Sequence, residues 1–512
     1  MAGCGLCTMF ARPFVERELS ELAAARIVKP VLEQTTWLAV GTQRPATLAA
    51  PRSRVWCGKS WPANLRGQTS ADGGDHMIRM STVALLGAML PGLAPAADLA
   101  GTRAAITRSL DAQYSRLDAL YKDIHAHPEL GFQEERTAAR LATEMKALGY
   151  EVTEGVGKTG IVGIYRNGPG PTVMVRTELD ALPLEEKTGL AYASKAKQTL
   201  RGVETPVMHA CGHDIHMAAW VAVARIMVEL KDQWSGTLMF VGQPAEEGGG
   251  GARRMVADGL FTRFPKPDVG FALHVGPFPY GYVSYRAGVI NSTADGLQIT
   301  FIGKGGHGSR PHVTIDPVMM AARFIVDVQS VIAREKDAAR FGVISIGAVE
   351  AGNAGNVIPD TATVRGTIRS HDNDTRLKMW AGIERTAKAV AMMSNAPAPD
   401  IRLTEGAKAV INDDALAARS GAVLKAAFGD KARLQAEPGS ASEDYSEFVT
   451  AGVPSFYFGI GGLEPQAWFA ATAAKKPIPG NHSPEFAPVP EPSIRTGAEA
   501  MSLVVLDALQ KK

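Results

Sequence analysis

The sequence predicts an α/β protein, a layered sheet flanked by helices and interrupted by an inserted unit of ferredoxin-like β-α-β-β-α-β order. Three observations lead there. From Asp111 onward, short apolar strand-like runs alternate with helical periodicities, the pattern of a layered α/β sheet. Between about Asn291 and Ile401 the order becomes strand, helix, two strands, helix, strand. Reactive side chains cluster just past the carboxyl ends of the first strands, where α/β sheets place their sites, and such residues resume after the insertion.

Leu141, Met145 and Leu148 recur at helical spacing, and Gly149 closes that helix. Ile161 to Arg166 and Thr172 to Thr177 read as strands around the turn Asn167-Gly-Pro-Gly-Pro. Met217 to Leu230 is apolar enough for a buried helix, and Gly236 to Gly242 and Val269 to Val275 are further apolar strands. In the inserted unit, Leu297, Ile299 and Phe301 alternate as a strand. Asp316 as N-cap and Pro317 at the first helical position open a helix expected to run to about Glu335. Val343 to Val349 and Thr361 to Ile368 supply two strands, Asp374 to Met393 a long helix, and the vicinity of Ile401 a last strand. No internal repeat or low-complexity tract interrupts this pattern.

The beginning of the chain reads differently. Residues 1–76 mix Arg, Trp, Pro and Cys without periodicity and are expected to hold little structure. Then Arg79, the short apolar stretch from Ser81 to Leu93, and the small residues Ala94-Pro-Ala-Ala97 have the layout of a secretory signal over 77–97. The stretch is too short to span a bilayer stably, and the competing reading is an ordinary buried helix. A signal works only at the start of a chain, so translation is expected to begin at Met77, with a periplasmic or secreted product. A start at Met1 would leave the protein cytoplasmic. Cys4, Cys7 and Cys57 fall in the early segment, which leaves Cys211 as the single thiol of the expected mature chain. Cys4 and Cys7 have no second pair nearby to complete a zinc site.

Composition narrows the partners. The chain of 512 residues is 46% hydrophobic and 21% charged with a net charge of +2, so no strong field steers it to nucleic acid or anionic membrane. A small molecule or peptide is the default.

The densest chemistry lies in His209-Ala-Cys211-Gly-His213-Asp214-Ile-His216. Thiolate and imidazole ligate borderline-soft divalent ions, and a glycine between Cys211 and His213 allows a turn that aims both at one point. Asp214 suits either the orientation of an imidazole or the N-cap of the following helix. Gln243-Pro-Ala-Glu246-Glu247 follows an apolar strand and precedes four glycines. Adjacent carboxylates there point in different directions, so one can ligate while its neighbour takes a proton. A solvated acidic turn is the plainer alternative. His274 on an apolar strand and His482 in a loop near the C-terminus are further candidates, and Glu178-Leu-Asp180 adds carboxylates at a strand end.

In their order along the chain these segments resemble the metal-dependent aminoacylase and carboxypeptidase superfamily. The branch is that of the amidohydrolases hippurate hydrolase and the plant indole-acetyl-amino-acid hydrolases. The likeness runs from His125-Ala-His-Pro-Glu-Leu-Gly-Phe-Gln-Glu through Glu178-Leu-Asp-Ala-Leu-Pro, the Cys-Gly-His-Asp cluster and Pro-Ala-Glu-Glu-Gly-Gly. It continues through Gly306-His-Gly-Ser-Arg-Pro-His312, Gly355-Asn-Val-Ile-Pro, Ser442-Glu-Asp-Tyr-Ser and Asn481-His-Ser-Pro-Glu-Phe. It implies a dinuclear-metal catalytic domain with a mixed sheet between helices, split into 98–290 and 402–512 around a lid and dimerisation domain at 291–401. The implied metal ligands are Cys211, His213, Glu247, His274 and His482, for two divalent ions of zinc, manganese or cobalt, with Glu246 as the base. Asp180 and Asp214 would orient ligands. His307 would help hold the scissile carbonyl, reaching the active site of a partner subunit in a homodimer or higher oligomer. Asn356 and Arg369 would contact the substrate carboxylate, a role that suits the planar fork of arginine.

The implied activity is hydrolysis of the amide bond of N-acyl amino acids or small peptides with a free carboxylate. Dipeptidase or carboxypeptidase action within the same family is the alternative. A non-catalytic binding protein on the same fold is a third reading, against which every ligand and the base are present. A serine hydrolase lacks its Gly-x-Ser-x-Gly elbow here. One departure stands out: many relatives carry Asp-x-Asp-Ala-Leu-Pro, whereas this chain has Glu178 in the first position.

Overall fold

The computed structural model describes residues 99–510, so the signal-like stretch at 77–97 and Cys4, Cys7 and Cys57 lie outside the described residues. Helix α1 (Leu99–Ala126) buries Ile106, Leu110, Leu117, Leu120, Tyr121 and Ile124, a stripe at helical spacing. Helix α2 (Glu135–Ala147) ends where Gly149 takes a left-handed φ of 87°, as its position in the sequence predicts. Strands β1 (Glu151–Val156), β2 (Gly160–Asn167) and β3 (Thr172–Glu178) follow. Helix α3 (His213–Glu229) comes next, then β4 (Gly236–Gln243), β5 (Val269–Pro279) and β6 (Val283–Tyr285).

The inserted unit is built from β7 (Asp295–Ile302), the short β8 (Gly306–His307), helix α4 (Pro317–Asp327), β9 (Gly342–Glu350), the short β10 (Val357–Ile358), β11 (Thr361–Ser370), helix α5 (Asn373–Met393) and β12 (Asp400–Thr404). Helix α6 (Asp414–Phe428), β13 (Ala432–Leu434), β14 (Ser455–Leu463) and helix α7 (Pro490–Ala508) complete the chain.

Eight strands form the mixed central sheet in the order β1-β2-β4-β3-β5-β14-β6-β13. Its middle is parallel: β3 pairs with both β4 and β5, and β5 pairs with β14. Parallel strands need cover on both faces. Helix α3 supplies much of it on one side, packed with α1 and α7, and is apolar nearly all round. Trp220 pins α3 to the sheet, its Nε1–H donating to the carbonyl of Val175 at 3.0 Å. A second cluster around Met174, Met239, Val241, Met255, Tyr445 and Phe448 fills the other side.

The inserted unit has a four-stranded antiparallel sheet in the order β9-β11-β7-β12, the ferredoxin-like arrangement, over its own core of Leu297, Ile299, Phe301, Phe324, Val364, Ile368 and Ile383. The carboxylate of Asp316 caps α4 by accepting from the backbone N–H groups of Val318 and Met319, with Pro317 at the first position.

Three local expectations are corrected. The regular α-helix of α4 ends at Asp327, but after a turn at Val328 the chain stays helical and reaches Glu335 as a wider helical turn, Val331–Glu335. The hydroxyl of Ser330, at the junction of the two helical pieces, donates back to the Asp327 carbonyl at 2.6 Å. His274 does not end its strand, because β5 continues to Pro279 in register with Leu463 of β14. Asp214 is not an N-cap: α3 begins at His213, Gly212 precedes it, and Asp214 sits in the first turn. Among the described residues no helix is long and apolar enough to cross a membrane.

Candidate metal centre

The centre forms at the ends of β3 and β4, beside the middle of β5 and the start of α3. Gly212 makes the turn between Cys211 and His213, with φ 85° and so little room that an added Cβ would lie 2.4 Å from Val275 Cγ1. Cys211 Sγ consequently faces His274 Nε2 at 3.4 Å. His482, itself at φ 68°, is set by its backbone N–H on the carbonyl of Ala210, and its Nε2 lies 3.2 Å from Glu247 Oε1. Asn481 beside it donates Nδ2–H groups to the carbonyls of Cys211 and Val275, both at 3.0 Å.

All five side chains expected as ligands meet here. Two groups of donor atoms, each within 4.8 Å of one another, contain them: Cys211, His213 and His274, and Cys211, Glu247 and His482. Cys211 belongs to both. The second ring nitrogen of each inner imidazole is tied down, Nδ1 of His213 to the Asp180 carbonyl at 2.7 Å and Nδ1 of His274 to the Val275 carbonyl at 2.8 Å. That fixes which nitrogen points inward. His213 Nε2 and Asp180 Oδ1 are buried without a hydrogen-bond partner, and Glu247 Oε1 has only its ion-pair contact with His482. Buried lone pairs left unmatched in this way are costly unless something occupies the space between them. The residues present therefore fit a pair of divalent cations.

Electrostatics agree. Burial, then the neighbouring Glu247 and Glu246, push the Cys211 thiol well above its usual range. Glu246 is likewise raised, by burial and then by the carboxylates of Glu443, Glu247 and Asp444. Burial opposes charge on His213, but Asp180 and Glu178 outweigh it and raise the ring to about 10. For Glu247 burial acts upward, and His482 and His213 bring it down to about 2. Burial and the adjacent His216 leave His274 neutral, at about 3.

Glu246 and Glu247 diverge as adjacent carboxylates should. Both lie near His213, but Glu247 also joins Cys211 and His482, whereas Glu246 joins Glu443 and Asp444. Asp180 steadies this turn, its Oδ2 accepting the Glu247 N–H at 2.9 Å. Asp214 does orient an imidazole, though not that of an expected ligand. Its Oδ2 lies 2.6 Å from Nδ1 of buried His125, whose Nε2 meets Glu186 at 3.1 Å.

The lid residues gather elsewhere. His307 and Asn356 share the exposed ribbon of β8 and β10, where the Asn356 carbonyl accepts from Gly308 N–H at 2.8 Å and His307 Nδ1 meets Ser309 Oγ at 2.8 Å. Arg369, on β11, donates to Ser442 Oγ at 2.7 Å, next to Glu443, and burial lowers its pKa.

Sequence reasoning gave no role to two buried groups beside the centre. His216 follows His213 by one helical turn, yet both its nitrogens are engaged: Nδ1 with Glu178 Oε2 at 2.9 Å, and Nε2 as acceptor of the Val275 N–H at 2.8 Å. Arg176 is fully enclosed and donates to Gln243 at 2.8 Å, Glu443 at 2.7 Å and Glu178. The i, i+3 spacing of the histidines was a usable signal for the first. Nothing local pointed to the second.

A mixed α/β sheet between helices, an antiparallel lid, and a buried cage of sulfur, imidazole and carboxylate define a metal-dependent hydrolase. The model of Peptidase family M20/M25/M40 matches residues 174–505, and the chain belongs to that family, whose members are metallohydrolases of amide bonds. It is 37% identical over 348 residues to hippurate hydrolase of Campylobacter jejuni, covering 67% of this chain and 87% of that protein. It is 34% identical over 390 residues to thermostable carboxypeptidase 1 of Saccharolobus solfataricus, covering 75% and 93%. The solved structure of the YXEP protein of Bacillus subtilis, a dinuclear metal-binding peptidase of the M20 family, superposes with a TM-score of 0.62 at 27% identity, covering 78% of this chain and 99% of that one.

Proposed function

We propose that this chain hydrolyses the amide bond of N-acyl amino acids or small peptides that carry a free carboxylate. Cys211, His213, Glu247, His274 and His482 would hold two divalent ions per subunit, zinc, manganese or cobalt. The observation that carries the reading is the pair of donor groups sharing Cys211, with buried unpartnered atoms facing inward beside Glu246. When bound, the ions supply Lewis acidity toward the amide carbonyl and toward the attacking water.

Glu246 takes a proton from that water and delivers it to the leaving nitrogen. Asp180 keeps Glu247 and the ring of His213 in place through the contacts described above. Arg369 offers a half-buried guanidinium for the substrate carboxylate, and the exposed His307 and Asn356 are available to a substrate held against a second subunit in a homodimer. Hippurate hydrolase among the relatives supports acyl-amino-acid cleavage, and the carboxypeptidase relative keeps peptide cleavage as the second reading. The signal-like stretch at 77–97 supports a periplasmic or secreted site of action.

The deciding test is Glu246→Gln in metal-loaded protein, assayed on hippurate, other N-acyl amino acids and dipeptides, each as free acid and as C-terminal amide. Metal content is expected to stay at two ions while turnover falls by about 100-fold or more. Free acids are expected to be preferred over amides. Near-normal turnover of the variant defeats the assignment of the base. Unchanged metal content in Cys211→Ala removes that residue from the ligand set.

A further inference from the structure

The segment Pro128 to Glu135 includes a carboxylate that the chemistry above leaves unused. Glu134 is fully buried, and among the described residues it forms no ion pair. Its Oε1 accepts the backbone N–H of Ala245 at 2.7 Å, and its Oε2 accepts the hydroxyl of Thr159 at 2.6 Å. Burying a carboxyl group away from any cation is expensive, and an apolar side chain would fill the same space at less cost. Burial, with the charge of Asp180 nearby, lifts this group to about 7.

The residue it holds is unusual. Ala245 has φ 48°, a left-handed conformation disfavoured for alanine, and is wholly enclosed. Its Cβ is so close to Gly131 and Gly249 that a Cβ on either would come within 3.0 or 2.5 Å of it. Glu246 follows directly. On the far side of Glu246, the Glu247 N–H is held by Asp180 at 2.9 Å. Buried carboxylates thus grip the chain on both sides of Glu246, Glu134 before it and Asp180 after it. The carbonyls of Ala245 and Glu246 are themselves engaged by Gly251 and Gly248 within the turn.

We infer that Glu134 is a positioning residue that holds the Ala245 turn and so fixes where the Glu246 carboxyl stands. This rests on the reading of Glu246 as the base. Aspartate at 134 is one carbon too short to reach both partners, whereas glutamine can present its carbonyl oxygen to Ala245 and its amide to Thr159.

The experiment compares Glu134→Asp, Glu134→Gln and Thr159→Val in the metal-loaded full chain, with hippurate as substrate. It measures metal per chain, kcat and KM separately, and amide hydrogen exchange of the peptide spanning 243–250. In Glu134→Asp the exchange of that peptide is expected to rise, and kcat to fall by about 100-fold at nearly constant KM and metal content, the scale of a roughly 1 Å misplacement. Glu134→Gln is expected to recover most of the loss. A merely structural role would lower the folded fraction and leave kcat per folded, metal-loaded chain unchanged, which overturns the proposal. Unchanged exchange in Glu134→Asp overturns it directly, at the hydrogen bond, whatever Glu246 does. If only the base reading fails, Glu246→Gln stays active while the exchange still rises. Should Glu134→Asp not fold, Thr159→Val frees Oε2 alone and carries the same expectations in smaller measure.

Discussion

Replacing His216 by alanine separates a ligand from a residue that holds ligands. His216 is 2% exposed, and its Nε2 is the acceptor for the N–H of Val275. The carbonyl of that same residue receives Nδ1–H of His274 and Nδ2–H of Asn481. One residue of β5 therefore sets the orientation of His274 and, through Asn481, the approach of His482. Alanine leaves the Val275 N–H buried without an acceptor, at a cost of about 1–3 kcal/mol. It also strips Glu178 of a partner at 2.9 Å, although Arg176 remains. Loss of a group that orients a ligand typically weakens metal binding by about 10–100-fold. That is about 1.4–2.7 kcal/mol, the same range as the orphaned amide. The assay is metal per chain against free zinc set by chelator buffers, with native mass spectrometry at saturation. Two ions are still expected at saturation, with the midpoint displaced upward by about 10–100-fold. A variant that saturates at one ion makes His216 a ligand, and an unmoved midpoint removes its positioning role.

Two further outcomes follow from the same geometry. Gly212→Ala must place a Cβ 2.4 Å from Val275 Cγ1 at φ 85°, so left-handed strain and overpacking together should cost about 2–5 kcal/mol. The loss should be visible as a lower unfolding midpoint and as reduced metal content; a variant as stable and as fully loaded as the parent contradicts the turn's role. The second concerns His125. Burial lowers its pKa, but Asp214 and Glu186 outweigh that and raise it from 6.5 to about 9. A folded pKa above the unfolded one means a contribution fully present below about pH 6.5 and lost as pH rises through about 9. Denaturant midpoints of the parent should fall across that window while those of His125→Gln stay flatter, and parallel profiles would refute the assignment.

Much of the centre was legible in the sequence because its signals are local. Cys211-Gly-His213 and Glu246-Glu247 each announce themselves within a few residues, at the ends of runs whose apolar pattern fixes strand and helix. His274 and His482 were not legible in that way: a histidine on an apolar strand and one in a loop are ordinary, and only the ordered resemblance singled them out. Which imidazoles bind and which position could not be read at all. His213 and His216 present the same helix face, and the difference lies in the Val275 N–H, 59 residues from His216. The Arg176–Glu443 pair spans 267 residues and has no sequence periodicity behind it. Helix ends failed for a related reason. The apolar run began at Met217, but His213 to His216 are helical because the site, rather than apolar packing, encloses them. In α4 the apolar spacing continued past Asp327 and the chain does stay helical to Glu335, but with a change of helical pitch that spacing does not register.

The charge balance around Cys211 ties these parts together. Glu178, Asp180, Glu246, Glu247, Glu443 and Asp444 converge on one small volume, with the guanidinium of Arg176 buried among them. Burial and mutual repulsion raise the proton affinity of several of them. Asp444 rises to about 8 through burial and the charge of Glu443, Glu246 is raised by the same crowding, and the Cys211 thiol is raised with them. Cation entry would reverse that balance, and the protons would leave as the donors take up the ions. Arg176 compensates Glu178 and Glu443 permanently, so these two serve the architecture whether or not a cation is present. Cys211 and Glu247 have no such guanidinium. Glu247 is faced instead by His482 and His213, and Cys211 by the imidazole of His274, so these five side chains, unlike Glu178 and Glu443, would be the ones to take up a cation.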